Sequence, residues 1–337
     1  MPCLSHISAL ECLRNPWLYA TMEPVATTAF YATEPGGQRA LSQGEFALPD
    51  CISLPCHMLA NAPCTIHSTE TFIQHVSTRK YPEDSFLRID RSLICSTPEL
   101  CFIQMASCIP IQELIWLGCE LCSDYSILND GYIERSRLST KRKLESYINH
   151  AKGQYGVKAA RRALRYLCEG AASPSEAALT MLATLPPTLG GYALPSPTLN
   201  ARVNLSKRAQ AETGNSCYKC DLLWPKAKLA LEYDSDSHHT GALRIAEDAL
   251  RRNTLKSDKG IDVIVVTNRQ LRDPAKFNYL MRQTAKALHV KLKGRTAMSI
   301  GAEHDLREIL FRHERAPRQQ NSLEFAECDP ELADQYS

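Results

Sequence analysis

The chain has 337 residues, of which 44% are hydrophobic and 23% charged, with 39 Lys and Arg set against 37 Asp and Glu. That length accommodates two domains with buried cores. The formal charge of +2 excludes a polycationic or strongly acidic tail protein, so any nucleic-acid contact must rest on local patches.

The first twenty residues, MPCLSHISALECLRNPWLYA, lack a basic stretch followed by an unbroken apolar run, and no later segment approaches the length of a membrane span. The expectation is a cytoplasmic protein with no membrane partner. Across residues 1–97 short apolar runs (CISLPCHMLA, TIHSTETFIQHV, SFLRIDRSLICS) alternate with Pro, Ser and Asn, which predicts a strand-rich region of strands and turns whose role the residues leave unassigned. Residues 98–171 read as helical. Pro98 opens an apolar segment that Pro110 divides into two helices, and two more follow over 140–150 and 157–168. Lys141, Arg142 and Lys143 cluster on the first of these, and Arg161, Arg162 and Arg165 on the second. Such clusters contact phosphates or form the solvated face of an amphipathic helix, and the solvated face is the commoner arrangement.

Fourteen cysteines include two C-x-x-C pairs, Cys119 with Cys122 and Cys217 with Cys220. The gap between the pairs is far longer than in a compact zinc ribbon, so reduced core thiols are expected rather than a structural zinc site or a disulfide framework.

From residue 172 to 290 the pattern sharpens into a mixed α/β domain. Ser173 and Pro174 start a helix with Glu176 in its first turn, and Pro186 and Pro187 stop it. A strand is expected over 201–205, a second over 217–223, and a third in KLALEYD after the turn at Pro225. Gly241 precedes a helix whose apolar stripe is Leu243, Ala246, Ala249 and Leu250, with Arg244, Asp248, Arg251 and Arg252 on the rest of its surface. The run 262–267, apolar on both faces, reads as a fully buried strand. Pro274 starts another helix burying Phe277, Leu280, Met281, Thr284 and Leu288, and the polar tail over 313–337 is expected to be disordered.

Alternation along KLALEYD puts Glu232 and Asp234 on one face, and folding back across Pro225 sets Asp221 roughly opposite Leu231 and Glu232. Three like charges so placed repel and raise one another's pKa unless a cation such as Mg²⁺ or Mn²⁺ lies between them. Asp221, Glu232 and Asp234 are therefore the candidate metal ligands. A solvated strand face with unpaired acids is the other reading of a Glu-x-Asp pair.

The order helix, strand, strand, strand, helix, strand, helix, with acids on the central hairpin, resembles the PD-(D/E)XK, or restriction-endonuclease-like, nuclease fold with its three-layer α/β core. Within it the segment is similar to an uncharacterised bacterial domain family related to very-short-patch-repair (Vsr-like) endonucleases. The residues carrying the likeness are Asp221 in CDLLWP, Glu232 and Asp234 as the E-x-D pair, His238 (with His239 beside it), Asp248 and Arg251, Gly260 before VIVVT, and Glu176 in SPSEAALTML. The resemblance implies a Mg²⁺- or Mn²⁺-dependent DNA endonuclease, with no small-molecule cofactor, acting in genome defence, repair or mobile-element biology. Asp221 and Glu232 would bind the metal, Asp234 would complete the coordination or hold water, and Arg244, Arg251, Arg252 and Lys256 would meet DNA. His238 reads equally as a general base or acid and as a polar turn residue. Glu176 reads first as an acid at a helix N-terminus and second as a site residue. Asp234 stands where such nucleases usually carry a lysine, and Ser235 where the family has glycine. The alternative implied by the same fold is a non-catalytic DNA-binding regulator or antitoxin-like protein.

Overall fold

The computed structural model describes residues 1–27, 47–60, 70–129, 131–234 and 242–312, with residues 242–245 described by backbone alone. His238, the side chain of Arg244 and the 313–337 tail lie outside the described residues. The chain forms two units. Among the described residues one comprises Met1–Cys122 and Ser126–Leu167, and the other comprises Ser123–Tyr125 and the chain from Cys168 onward.

In the first unit the chain runs β1 (Cys3–Leu4), α1 (His6–Arg14), α2 (Pro16–Tyr19), β2 (Glu23–Val25), β3 (Cys56–Ala60), β4 (Phe72–Val76), β5 (Phe86–Arg88) and β6 (Ile94–Ser96). The six strands form one sheet in the order β2-β5-β6-β1-β3-β4, with β1–β6 and β3–β4 parallel and the other pairs antiparallel. Cys3, Val25, Leu59, Phe86, Ile94 and Leu100 make its core. α1 is a helix where only strands and turns were expected. Ala9, Leu10, Cys12 and Leu13 are buried in it, a spacing of 3.6-residue character that the short length concealed.

The helical region follows with α3 (Pro98–Met105) and α4 (Ile111–Leu121), divided at Pro110 as the sequence predicts. Next come the hairpin β7 (Tyr125–Leu128) and β8 (Gly131–Glu134), then α5 (Lys141–His150) and α6 (Val157–Leu164). These four helices belong to the same unit as the N-terminal sheet rather than standing apart, since α3 packs on α1 and β6. The fully buried Glu120 of α4 ties the layers together. Arg14 of α1 grips it through two bonds of 2.9 and 2.7 Å, and the Ile127 N–H donates to it at 3.0 Å. A buried carboxylate needs such pairing to offset lost hydration.

The second unit contains α7 (Pro174–Thr184), β9 (Thr198–Asn204), α8 (Lys207–Thr213), β10 (Cys217–Trp224), β11 (Leu229–Asp234), α9 (Ala242–Lys259), β12 (Asp262–Thr267), α10 (Asn268–Arg272), α11 (Pro274–Ala287) and α12 (Ala297–Leu310). Its sheet has the order β12-β11-β10-β9. The β9–β10 and β10–β11 pairs are antiparallel and β11–β12 parallel, the crossover being α9. α7 lies along β10 and β11, while Leu255 of α9 joins Cys220, Leu223, Ala230 and Ile261 in the core cluster.

Three details depart from the sequence reading. β12 is an edge strand in which only Val266 is buried, so its β-branched run reflects a half-covered surface and not burial on both faces. On α9, Leu250 is 49% exposed, Ala246 is exposed and Leu255 is fully buried, which turns the Arg251 side of the helix inward and these two members of the expected stripe outward. An arginine tolerates that inner face because it finds a carboxylate there. Finally, the unit continues past residue 290 through α12, whose Leu306 and Leu310 are buried.

Candidate functional site

The strand register places the acids. β10 pairs with β11 through Leu222↔Leu231, Leu223↔Ala230 and Trp224↔Leu229, so Asp221 and Glu232 are the next positions along the hairpin. On the other side, β9 and β10 pair at Ala201–Cys220 and again at Leu199–Leu222, and the Asn200–Asp221 step between them is missing from the ladder. Asn200 has φ +50, a left-handed conformation that asparagine adopts more readily than most residues. On the opposite side of β10, the Asp221 side chain accepts the Tyr233 N–H at 2.8 Å.

Glu176 is buried at the start of α7. Its carboxylate accepts from Ala172 N at 2.9 Å, from Asn200 Nδ2 at 2.7 Å and from Ser173 Oγ at 3.1 Å, while Ser173 Oγ caps the helix by accepting the Glu176 N–H. Glu176 is thus an acid in the first turn of α7, bonded back to Ser173 and Ala172. Its negative charge is nevertheless felt at Asp221. Burial first, and Glu176 second, push the Asp221 carboxyl up to about 6, against the opposing pull of the Tyr233 N–H, Arg251 and Lys219.

Glu232 is held by Arg251, whose Nη2 donates to Oε1 at 2.7 Å. Burial still raises the Glu232 carboxyl above the ordinary range; Arg251 opposes the rise, Asp221 adds to it, and Arg252 and Asp248 act more weakly. Arg251 also donates to the Lys219 carbonyl and stands 5.9 Å from the Tyr218 ring centroid, so its guanidinium is fixed in place. Its Nε is buried with no hydrogen-bond partner among the described residues. Beside them the Cys220 thiol is pushed up to about 11, by burial and then by Glu232, and stays protonated.

The structure thus gathers Glu176, Asp221, Glu232 and Arg251, with Arg252 and Asp248 within electrostatic reach. Asp234 sits at the exposed end of β11 opposite Thr267, and Lys256 is paired with Asp262. Among the described residues, Asp221, Glu232 and Asp234 do not bring one ligand atom each within 4.8 Å of one another. Cys119, Cys122 and Cys220 are fully buried, and Cys217 is half-buried at the start of β10.

One group that does meet this test was passed over in the sequence: His6, His57 and His75 in the first unit. A signal is present, because CHMLA carries a histidine inside an otherwise apolar strand and FIQHV carries another. No helix among the described residues is long and apolar enough to cross a membrane. Comparison with protein-family models, with curated proteins and with solved structures gives no match to this chain.

Proposed function

We propose that the unit beginning at Cys168 is a metal-dependent DNA endonuclease of PD-(D/E)XK type, related to the very-short-patch-repair enzymes and serving genome defence, repair or mobile-element biology. The observation that carries this reading is the placement of Asp221 and Glu232 at adjoining register positions where the β10–β11 ladder ends, with Arg251 of the crossover helix anchored on Glu232. The donor set fits Mg²⁺ or Mn²⁺, which take carboxylate oxygens. The strain is also of the right kind: ionised Asp221 is disfavoured by burial and by Glu176, and a divalent cation would relieve both. A bound ion of this class supplies Lewis-acid stabilisation of a phosphoryl group and a more acidic water.

Asp221 and Glu232 would hold the ion, and Asp234, at the mouth of β11, would accept a hydrogen bond from water. Asp234 occupies the lysine's place, so Arg251, held on Glu232, would supply the fixed positive charge in its stead. Arg252 extends the positive field, while Arg244 and His238 remain assigned by resemblance alone. Lys256, tied to Asp262, contacts DNA only if it exchanges that exposed partner.

The ion pair between Arg251 and Glu232 favours a second reading, in which one acid is neutralised and the unit binds DNA as a regulator or antitoxin-like protein without cutting it. Separating binding from cleavage decides between them. Under the nuclease reading, Asp221→Ala and Glu232→Ala abolish Mg²⁺-dependent cleavage while duplex affinity at low salt is kept or rises, because repulsion toward phosphate is removed. Arg251→Ala weakens both. Tight duplex binding by an unmodified protein that never cuts would transfer the assignment to the regulator.

A further inference from the structure

We infer that His6, His57 and His75 form a nitrogen-donor site for one divalent transition metal ion, Zn²⁺ foremost. The site lies in the first unit and owes nothing to the acids of the second. The backbone brings the three rings together from different elements. The Ser5 N–H donates to the His57 carbonyl at 2.9 Å, which continues the β1–β3 pairing by one residue and sets His6 beside His57. In the parallel β3–β4 pair Leu59 is opposite His75, and His57 lies two residues from Leu59, so His57 and His75 project from the same face.

The nitrogens are close enough to share one ion once the stacked His6 and His75 rings turn so that their in-plane lone pairs converge. One ligand atom from each ring lies within 4.8 Å of the others, and His57 Nδ1 is 2.9 Å from His75 Nε2. Two imidazole nitrogens bound tetrahedrally to zinc at about 2.0–2.1 Å are about 3.3 Å apart. The pair therefore needs to open by less than about half an ångström to admit the ion. His6 Nδ1 is 2.9 Å from Ser5 Oγ, the kind of outer hydrogen bond that fixes a ligating imidazole, and this leaves Nε2 as its remaining ring nitrogen. The His6 and His75 rings stack with centroids 3.6 Å apart.

Holding this arrangement is costly. His6 has φ +50, a conformation that costs a residue with a side chain about 1 kcal/mol or more, and it is pinned there by its N–H donating to Gln104 Oε1 at 3.2 Å. His6 and His57 are buried, so two polar rings occupy positions that apolar side chains would fill more cheaply. Neutral imidazole is the form that ligates. An all-imidazole set suits Zn²⁺, Co²⁺, Ni²⁺ or Cu²⁺ and not Mg²⁺. Three protein nitrogens leave a fourth position for water or hydroxide, and hydroxide would offset part of the charge brought into the core.

The test uses the full chain, stripped with a chelator and exchanged into metal-free buffer. It is titrated with Zn²⁺ by calorimetry and with Co²⁺ by visible absorption. One equivalent of Zn²⁺ should bind, with a tetrahedral Co²⁺ spectrum. His75→Gln, at the half-buried member, should lower Zn²⁺ affinity by about 100-fold or more, whereas a Cys217→Ser, Cys220→Ser double variant should bind as the unmodified protein does. Imidazole ¹⁵N resonances of the unmodified chain provide a readout independent of any variant, and those of His57 and His75 should shift on saturation. Absence of stoichiometric Zn²⁺ uptake, uptake unaffected by His75→Gln in a folded variant, or unmoved imidazole resonances would each overturn the assignment.

Discussion

Asp221 is the residue whose chemistry can be read most directly from stability. Its carboxyl is raised from 3.8 to about 6 in the folded chain, so the folded state holds a proton more tightly than the unfolded state between those values. The sign follows: the residue destabilises the fold above pH 6, by on the order of 3 kcal/mol for a shift of this size, and the cost disappears as pH falls toward 3.8. Asp221→Asn, which keeps an oxygen for the Tyr233 N–H, should stabilise the metal-free protein by about 1–3 kcal/mol at pH 7. Its advantage should vanish near pH 4. Denaturant unfolding of both proteins across pH 4–8 checks this, and equal stability at pH 7 would show that the carboxylate is not under strain. Added Mn²⁺ should narrow the gap at pH 7, because the cation favours ionised Asp221.

At the level of elements, α12 shows how the second unit is locked. Glu303, 2% exposed, accepts from Arg307 Nε at 2.7 Å and pairs with Arg295, while Arg295 Nη1 donates to the Tyr192 hydroxyl at 2.6 Å and Arg307 Nη1 to the Leu271 carbonyl at 2.6 Å. Nearby, Gly190 has φ +92, and a Cβ on it would lie 2.4 Å from the Ala302 carbonyl oxygen, so α12 approaches the chain where only glycine fits. Glu303→Ala should cost about 3–5 kcal/mol, since it strands Arg307 in the core; a loss under 1 kcal/mol by chemical denaturation would contradict this. None of this network was legible in the sequence, because Arg295, Glu303 and Arg307 look like ordinary surface charges until tertiary packing covers them. What was legible obeyed local rules. Ser173–Pro174 started α7, Pro110 divided α3 from α4, and the Pro225 turn set the register that brings Asp221 to Glu232. The inward side of α9 was missed for the opposite reason: hydrophobicity alone favoured Leu250, and the Arg251–Glu232 pair overrode it. The histidines of CHMLA and FIQHV stand out within their strands, but that they meet each other and His6 follows only from β1–β3 and β3–β4 pairing.

Over the whole molecule, two units with two different donor sets imply separable behaviour. Calorimetry of the full chain should resolve two unfolding transitions. Zn²⁺ at about 100 times its dissociation constant should raise one of them by about 5–10 °C, and Mn²⁺ should raise the other, which is also the one lowered by Glu303→Ala. Both ions acting on a single transition would contradict this division. The central claim, that Asp221 and Glu232 form a metal-dependent phosphodiesterase site, is tested most directly by incubating the unmodified full chain with supercoiled plasmid in Mg²⁺, in Mn²⁺ and in excess chelator. Nicked or linear product is expected with either ion, none with chelator, and none from Asp221→Ala under any condition. Intact plasmid with both ions, or cleavage that survives Asp221→Ala, would contradict it.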